Sequence, residues 1–268
     1  MIITDAHTHI YSCYNLDDFI SSAFKNLFKG THTLSEQSST AVLFLTETKG
    51  NNYFELLMKS PLDAGDNERS KPWHVLDTDE KLSLRVIHPV YPDKEIIVIS
   101  GQQVVTEEKL EVLAIGCSYP QVDGATLKGT VSSTLAGGGI VILPWGVGKW
   151  LGQRGRIVDD FIAASKSSHL FLGDNGSRPG IWSVSSLDRV RGTNQPRLLS
   201  GTDPLPLPGE EKRVGNFGSI IHGSIDQQKP FETLKILLTR PETDITSYGD
   251  LQSPLSFVKQ QVALRMAR

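Results

Sequence analysis

Three side chains able to hold a metal ion open this chain. Residues 2–10 read Ile-Ile-Thr-Asp-Ala-His-Thr-His-Ile, with Asp5, His7 and His9 at a spacing of two. In a strand, side chains at i and i+2 point the same way, so this spacing predicts all three on one face of a buried N-terminal strand. Two imidazoles side by side can each turn a nitrogen toward a shared Zn, Mn or Fe ion. The plainer alternative is a pair of histidines satisfied by hydrogen bonds. A further carboxylate, Asp203, stands in Gly-Thr-Asp-Pro after the apolar run Arg197–Ser200. There it can ligate a metal and accept a proton, although Asp before Pro is also a common turn former. Asp174, in Leu-Gly-Asp-Asn-Gly, is a weaker candidate of the same kind.

A second group of residues suits an anionic ligand. Trp145–Arg156 is rich in glycine and carries Trp145, Trp150, Lys149 and Arg154. Glycine permits close backbone approach, and Lys or Arg can hold a phosphate or carboxylate. The expectation is a loop forming one wall of the pocket, with Lys149 or Arg154 as the anion contact and Trp145 in its floor. The segment matches no Walker or dinucleotide fingerprint.

The elements that must position these residues follow from periodicity. Asn15 caps a helix whose apolar residues Phe19, Ile20, Ala23, Phe24, Leu27 and Phe28 recur at helical spacing up to Gly30. Ala41–Thr46 reads as a strand buried on both faces and delivers Glu47 at its end. Asn52–Lys59 reads as a short helix, and residues 31–40 and 61–72 as polar loops. Ser83–Pro89, Glu95–Val105 and Leu110–Cys117 form a local antiparallel run of strands. Thereafter helices (Leu127–Ala136, Ile157–Ser167, Val184–Arg191, Pro230–Leu238, from Ser253) alternate with strands (Ile140–Leu143, Leu170–Leu172, Arg197–Ser200). Such alternation over 268 residues, with no convincing boundary, predicts one domain, an irregular α/β barrel with its chemistry at the C-terminal ends of the strands.

The motifs, taken in order, resemble those of the PHP-type metal-dependent phosphoesterases, which belong with the amidohydrolase-like hydrolases. They are Asp5-Ala-His-Thr-His9, Gly101-Gln-Gln-Val-Val-Thr106 with Leu110-Glu-Val-Leu-Ala-Ile-Gly116, Gly138-Gly-Ile-Val-Ile-Leu-Pro-Trp145, and Gly201-Thr-Asp203. The resemblance implies a distorted (β/α)7–8 barrel and a metal-activated water that attacks a phosphoester or, second, an amide. The chain departs from the pattern at four places. Glu47-Thr48 stands for the family's Asp-His, Gln103 for a Glu, Trp145 for a His, and Asp203-Pro-Leu205 for Asp-x-His. By this resemblance His7, His9 and Asp203 hold one divalent ion in place of two or three. Asp203 and Glu47 carry the proton chemistry, and Gln103, Trp145, Asp174, Lys149 and Arg154 line the substrate pocket. The departures also leave open a non-catalytic barrel that binds a small anionic ligand with weak metal or none.

A formal charge of −3 gives no electrostatic case for nucleic acid or an anionic membrane surface. The absence of a long apolar stretch and the presence of only Cys13 and Cys117 suit a cytoplasmic protein.

Overall fold

The computed structural model describes residues 1–29, 40–59, 72–190 and 196–266. Strand β1 (Ile2–Thr8) is followed by α1 (Leu16–Leu27), where Asn15 caps the first turn by accepting from the Asp18 N–H at 3.0 Å. β2 (Thr40–Glu47) and α2 (Tyr53–Met58) come next. Four strands follow, β3 (His74–Asp77), β4 (Ser83–Ile87), β5 (Glu95–Val105) and β6 (Glu111–Ile115). The alternating half comprises α3 (Leu127–Ala136), β7 (Ile140–Pro144), α4 (Gly152–Ala164), β8 (Leu170–Asn175), α5 (Ser185–Val190) and β9 (Arg197–Gly201). A 3-10 turn (Glu210–Arg213), β10 (Gly218–Ile221), α6 (Pro230–Thr239), β11 (Ile245–Tyr248) and α7 (Pro254–Met266) complete it. The helix end expected at Gly30 and almost all of the two polar loops lie outside the described residues.

The eleven strands among the described residues join one sheet in the order β11-β10-β1-β2-β5-β6-β7-β8-β9, with the β3–β4 hairpin branching from β5. β1, β2 and β5 are parallel neighbours, as are β7, β8 and β9; β6 runs antiparallel between the two groups. The sheet curls until β9 meets β1. There the Asp203 N–H donates to the His7 carbonyl at 2.8 Å and the Thr202 N–H to Asp5 Oδ1 at 2.8 Å. The result is a distorted α/β barrel, as the alternation and the motifs predict.

Inward residues Val42, Phe44, Ile97, Ile99, Leu113, Ile115, Ile140, Ile142, Phe171 and Leu199 fill the barrel, and Phe231, Leu234 and Leu238 of α6 pack on the same core. Outward residues form two further layers. One lies against α1, and the other includes residues of α3, α4 and α5. Burial of these apolar faces, at roughly 25 cal/mol per Å², is the main force holding the curl.

Three elements differ from expectation for local reasons. α4 begins at Gly152, five residues before Ile157, so part of the segment read as loop is helix. A Cβ at Gly155 would lie 2.6 Å from the Trp150 carbonyl, so here glycine permits the helical turn that it ordinarily disfavours. β3 and β11 are four-residue strands, too short to show a period. Among the described residues, no helix is long and apolar enough to cross a membrane.

Candidate metal centre

His7 and His9 reach the barrel mouth because β1 does not keep its register. Asp5 pairs with Leu43 of β2, but Thr8, three residues on, pairs with Leu45, only two residues on. This bulge puts Asp5 and Thr8 on the outer face with Leu43 and Leu45, and turns His7 and His9 inward. The expectation of Asp5, His7 and His9 on one face is therefore corrected. Asp5 is completely buried on the other side, accepting from the N–H groups of His7, Thr202 and Gly215 and from the Thr202 hydroxyl. Burial raises its pKa to about 6, against the pull of these donors.

Three more polar groups arrive by a shared device, an inward glycine two residues before each of them. Gly101 precedes Gln103 on β5, Gly173 precedes Asn175 on β8, and Gly201 precedes Asp203 after β9. A Cβ at Gly201 would overlap the backbone nitrogen of His7, and one at Gly101 would come within 2.6 Å of the Ile115 side chain. The glycines thus let the strands draw together directly beneath the polar layer. Asp203 itself has φ 48, a left-handed conformation that Asp tolerates better than most residues.

The donor atoms converge. His7 Nε2 lies 2.9 Å from His9 Nε2, and Asp203 Oδ1 lies 3.6 and 3.4 Å from these two nitrogens. Gln103 Oε1 approaches His7 Nε2 at 2.9 Å. Two donors about 2.0–2.2 Å from a common ion at angles of about 90–120° are roughly 2.8–3.8 Å apart, so all three spacings suit one shared divalent ion. Both imidazoles are buried, while Asp203 opens to solvent. Burial opposes the Asp203 charge, but the two imidazoles and Arg213 outweigh it and hold its pKa down to about 2. Burial lowers the pKa of His9, favouring the neutral form that can ligate.

The remaining predicted residues divide. Gln103 lines the centre, and its Nε2 donates to Glu111 Oε1 at 3.4 Å; Glu111 in turn is paired with Lys149. Lys149 therefore reaches the site through two side chains. Arg154, in the first turn of α4, donates instead to the Gly148 and Lys109 carbonyls. Three assignments to the pocket are corrected, each by strand alternation. Glu47 is on the outer face with Leu43 and Leu45, where its Oε1 accepts from the Phe54 N–H at the start of α2; burial raises its pKa. The Trp145 side chain is outward with Val141 and Leu143, 3% exposed and edge-on to Trp182 at 5.6 Å, so it fills no metal space. Asp174 faces out into a bidentate pair with Arg178 at 2.8 and 2.7 Å.

Asn175 and Glu111 are the members that reading by motif passed over. Asn175 Nδ2 donates to the Trp145 carbonyl at 2.5 Å and to Asp203 Oδ2 at 2.8 Å, and its Oδ1 faces His7 Nδ1 at 3.2 Å. The signal for Asn175 was present as Gly-x-polar, the spacing that also delivers Gln103 and Asp203.

The fold has solved counterparts. It is similar to that of PsfC from Pseudomonas syringae PB-5123, with TM-score 0.52 and 10% identity, over 100% of this chain and 98% of PsfC. It is also similar to PfuEndoQ, a lesion-specific endonuclease from Pyrococcus furiosus, with TM-score 0.52 and 12% identity, over 92% of this chain and 58% of that one. At such identities the likeness is one of fold alone. No protein-family model matches the sequence, and no curated protein does.

Proposed function

We propose that this chain is a metal-dependent hydrolase acting on a phosphoester, less favourably an amide, of a small anionic molecule. The observation that carries the reading is the convergence of His7 Nε2, His9 Nε2 and Asp203 Oδ1 at spacings of 2.9, 3.4 and 3.6 Å. A divalent Zn, Mn or Fe ion held there would polarise a phosphoryl oxygen and lower the pKa of a water. His7 and His9 supply neutral nitrogens, Asp203 supplies the compensating charge, and Gln103 Oε1 is a further oxygen donor within reach. Lys149, paired with Glu111, supplies positive charge for the anionic part of the substrate. One ion is expected, because Gln103 and Leu205 replace ionisable groups.

Metal analysis of protein purified without chelator, followed by hydrolysis assays on aryl phosphates, tests this. One ion per chain with hydrolysis that is lost on chelation supports it; a chain that takes up no divalent ion on titration ends it. A nucleic-acid phosphodiester belongs in the assay because of the endonuclease likeness, although a net charge of −3 gives that substrate no electrostatic help. A second reading, a barrel that binds an anion without turnover, is favoured by one observation. Asp203, with its pKa held near 2, is a weak proton acceptor, and Glu47 faces away. Metal and phosphate binding without hydrolysis would select it.

A further inference from the structure

We infer that Asn175 is the positioning residue of the centre: its one amide sets the tautomer of His7 and the rotation of Asp203 together. The orientation of the amide is determined by its partners. Nδ2 lies 2.5 Å from the Trp145 carbonyl oxygen and 2.8 Å from Asp203 Oδ2, and neither partner can donate. The nitrogen must therefore stand on that side, which leaves Oδ1 toward His7 Nδ1 at 3.2 Å. An amide oxygen only accepts, so His7 Nδ1 carries the proton. In neutral His7 the lone pair is then on Nε2, the atom facing His9, Asp203 and Gln103. The same amide holds Asp203 by Oδ2 and thereby turns Oδ1 toward both imidazoles.

This produces a cluster of acceptors. His7 Nε2, Gln103 Oε1 at 2.9 Å and Asp203 Oδ1 at 3.6 Å face one another with lone pairs. A cation, or a proton, relieves that arrangement. His9 lacks a comparable control, since its buried Nδ1 has no hydrogen-bond partner among the described residues. The centre is thus fixed through one histidine and one carboxylate by a single side chain at the end of β8. The functional meaning of the inference rests on the metal reading above; the hydrogen bonds do not.

The test pairs a spectroscopic readout with a binding one. In metal-free protein labelled with 15N-histidine, at about pH 8, His7 is expected as the Nδ1–H tautomer. Asn175→Ala should release it to a mixture and weaken Mn²⁺ or Zn²⁺ binding by about 10–100-fold, the usual cost of losing a second-layer partner. Asn175→Asp keeps the acceptor and should keep the tautomer, while losing the donor to Asp203. An Nε2–H tautomer in the wild type overturns the inference without any variant. So does an Asn175→Ala protein, folded by circular dichroism, that retains both the tautomer and the affinity. A wild type with the Nδ1–H tautomer, released in Asn175→Ala, but with no affinity for either ion sinks the metal reading and leaves the positioning role standing.

Discussion

His7 has different neighbours at its two ring nitrogens, Asn175 at one and the donor cluster at the other. Truncation at His7 removes one of the three proposed ligands, so His7→Ala should cost more metal affinity than the roughly 10–100-fold of an outer partner. Titration calorimetry with Zn²⁺ checks this, and unchanged metal content would show that the site lies elsewhere. The two cations of the Trp145–Arg156 segment should behave differently. Lys149 joins the site through Glu111, whereas Arg154 is bonded to loop carbonyls. A charge-assisted contact is worth roughly 1.5–3 kcal/mol, so Lys149→Ala should weaken inorganic phosphate binding about tenfold or more. Arg154→Ala should leave it unchanged; equal affinity in all three proteins would remove Lys149 from the pocket.

At the scale of elements, the bulge in β1 and the inward glycines below Gln103, Asn175 and Asp203 create the mouth. Among these three glycines, Gly201→Ala is expected to be the most damaging, because its Cβ would overlap the His7 backbone. Overpacking of this kind costs about 1–3 kcal/mol, and here it should also displace His7 and lower metal uptake. A thermal midpoint and a metal titration within error of wild type would refute the close approach. Asp174 gives the opposite pattern. Removing one partner of a buried ion pair costs about 3–5 kcal/mol, so Asp174→Ala should be strongly destabilised yet bind metal normally while folded. Lost metal affinity in folded Asp174→Ala would return Asp174 to the site.

On the scale of the whole molecule, closure of the barrel rests on Asp5, which ties β1 to the ends of β9 and to Gly215. Its folded pKa of about 6 stands above the usual 3.8 because burial disfavours the charge. A raised folded pKa means a contribution present in full below about pH 3.8 and lost as pH rises through about 6. The loss approaches roughly 3 kcal/mol at neutral pH. His9, His88 and His169 have lowered pKa values and titrate in the opposite sense across much of this window. The informative quantity is therefore the stability difference between wild type and Asp5→Asn in metal-free urea titrations from pH 4 to 7. Wild type should lose ground to the variant as pH rises, and a constant difference would show that Asp5 is not the titrating group.

Strand and helix alternation, the helix cap at Asn15, and the apolar runs were legible from local sequence, because periodicity and capping act over a few residues. The pairing of His7 and His9 with Asp203 was legible too, since residue types and strand ends identify candidates without coordinates. Facing was not. Glu47, Trp145 and Asp174 stand at strand ends as expected, yet alternation turns each side chain outward, while the bulge reverses the sense for His7 and His9 alone. A bulge depends on the partner strand, so β1 by itself cannot reveal it. Asn175 likewise became visible only when the sheet closed, because its three partners lie on β1, just after β7 and just after β9, up to 168 residues away. Local sequence determines which side chains stand at the ends of the strands; the register of distant strands decides which of them turn into the mouth of the barrel and face one another.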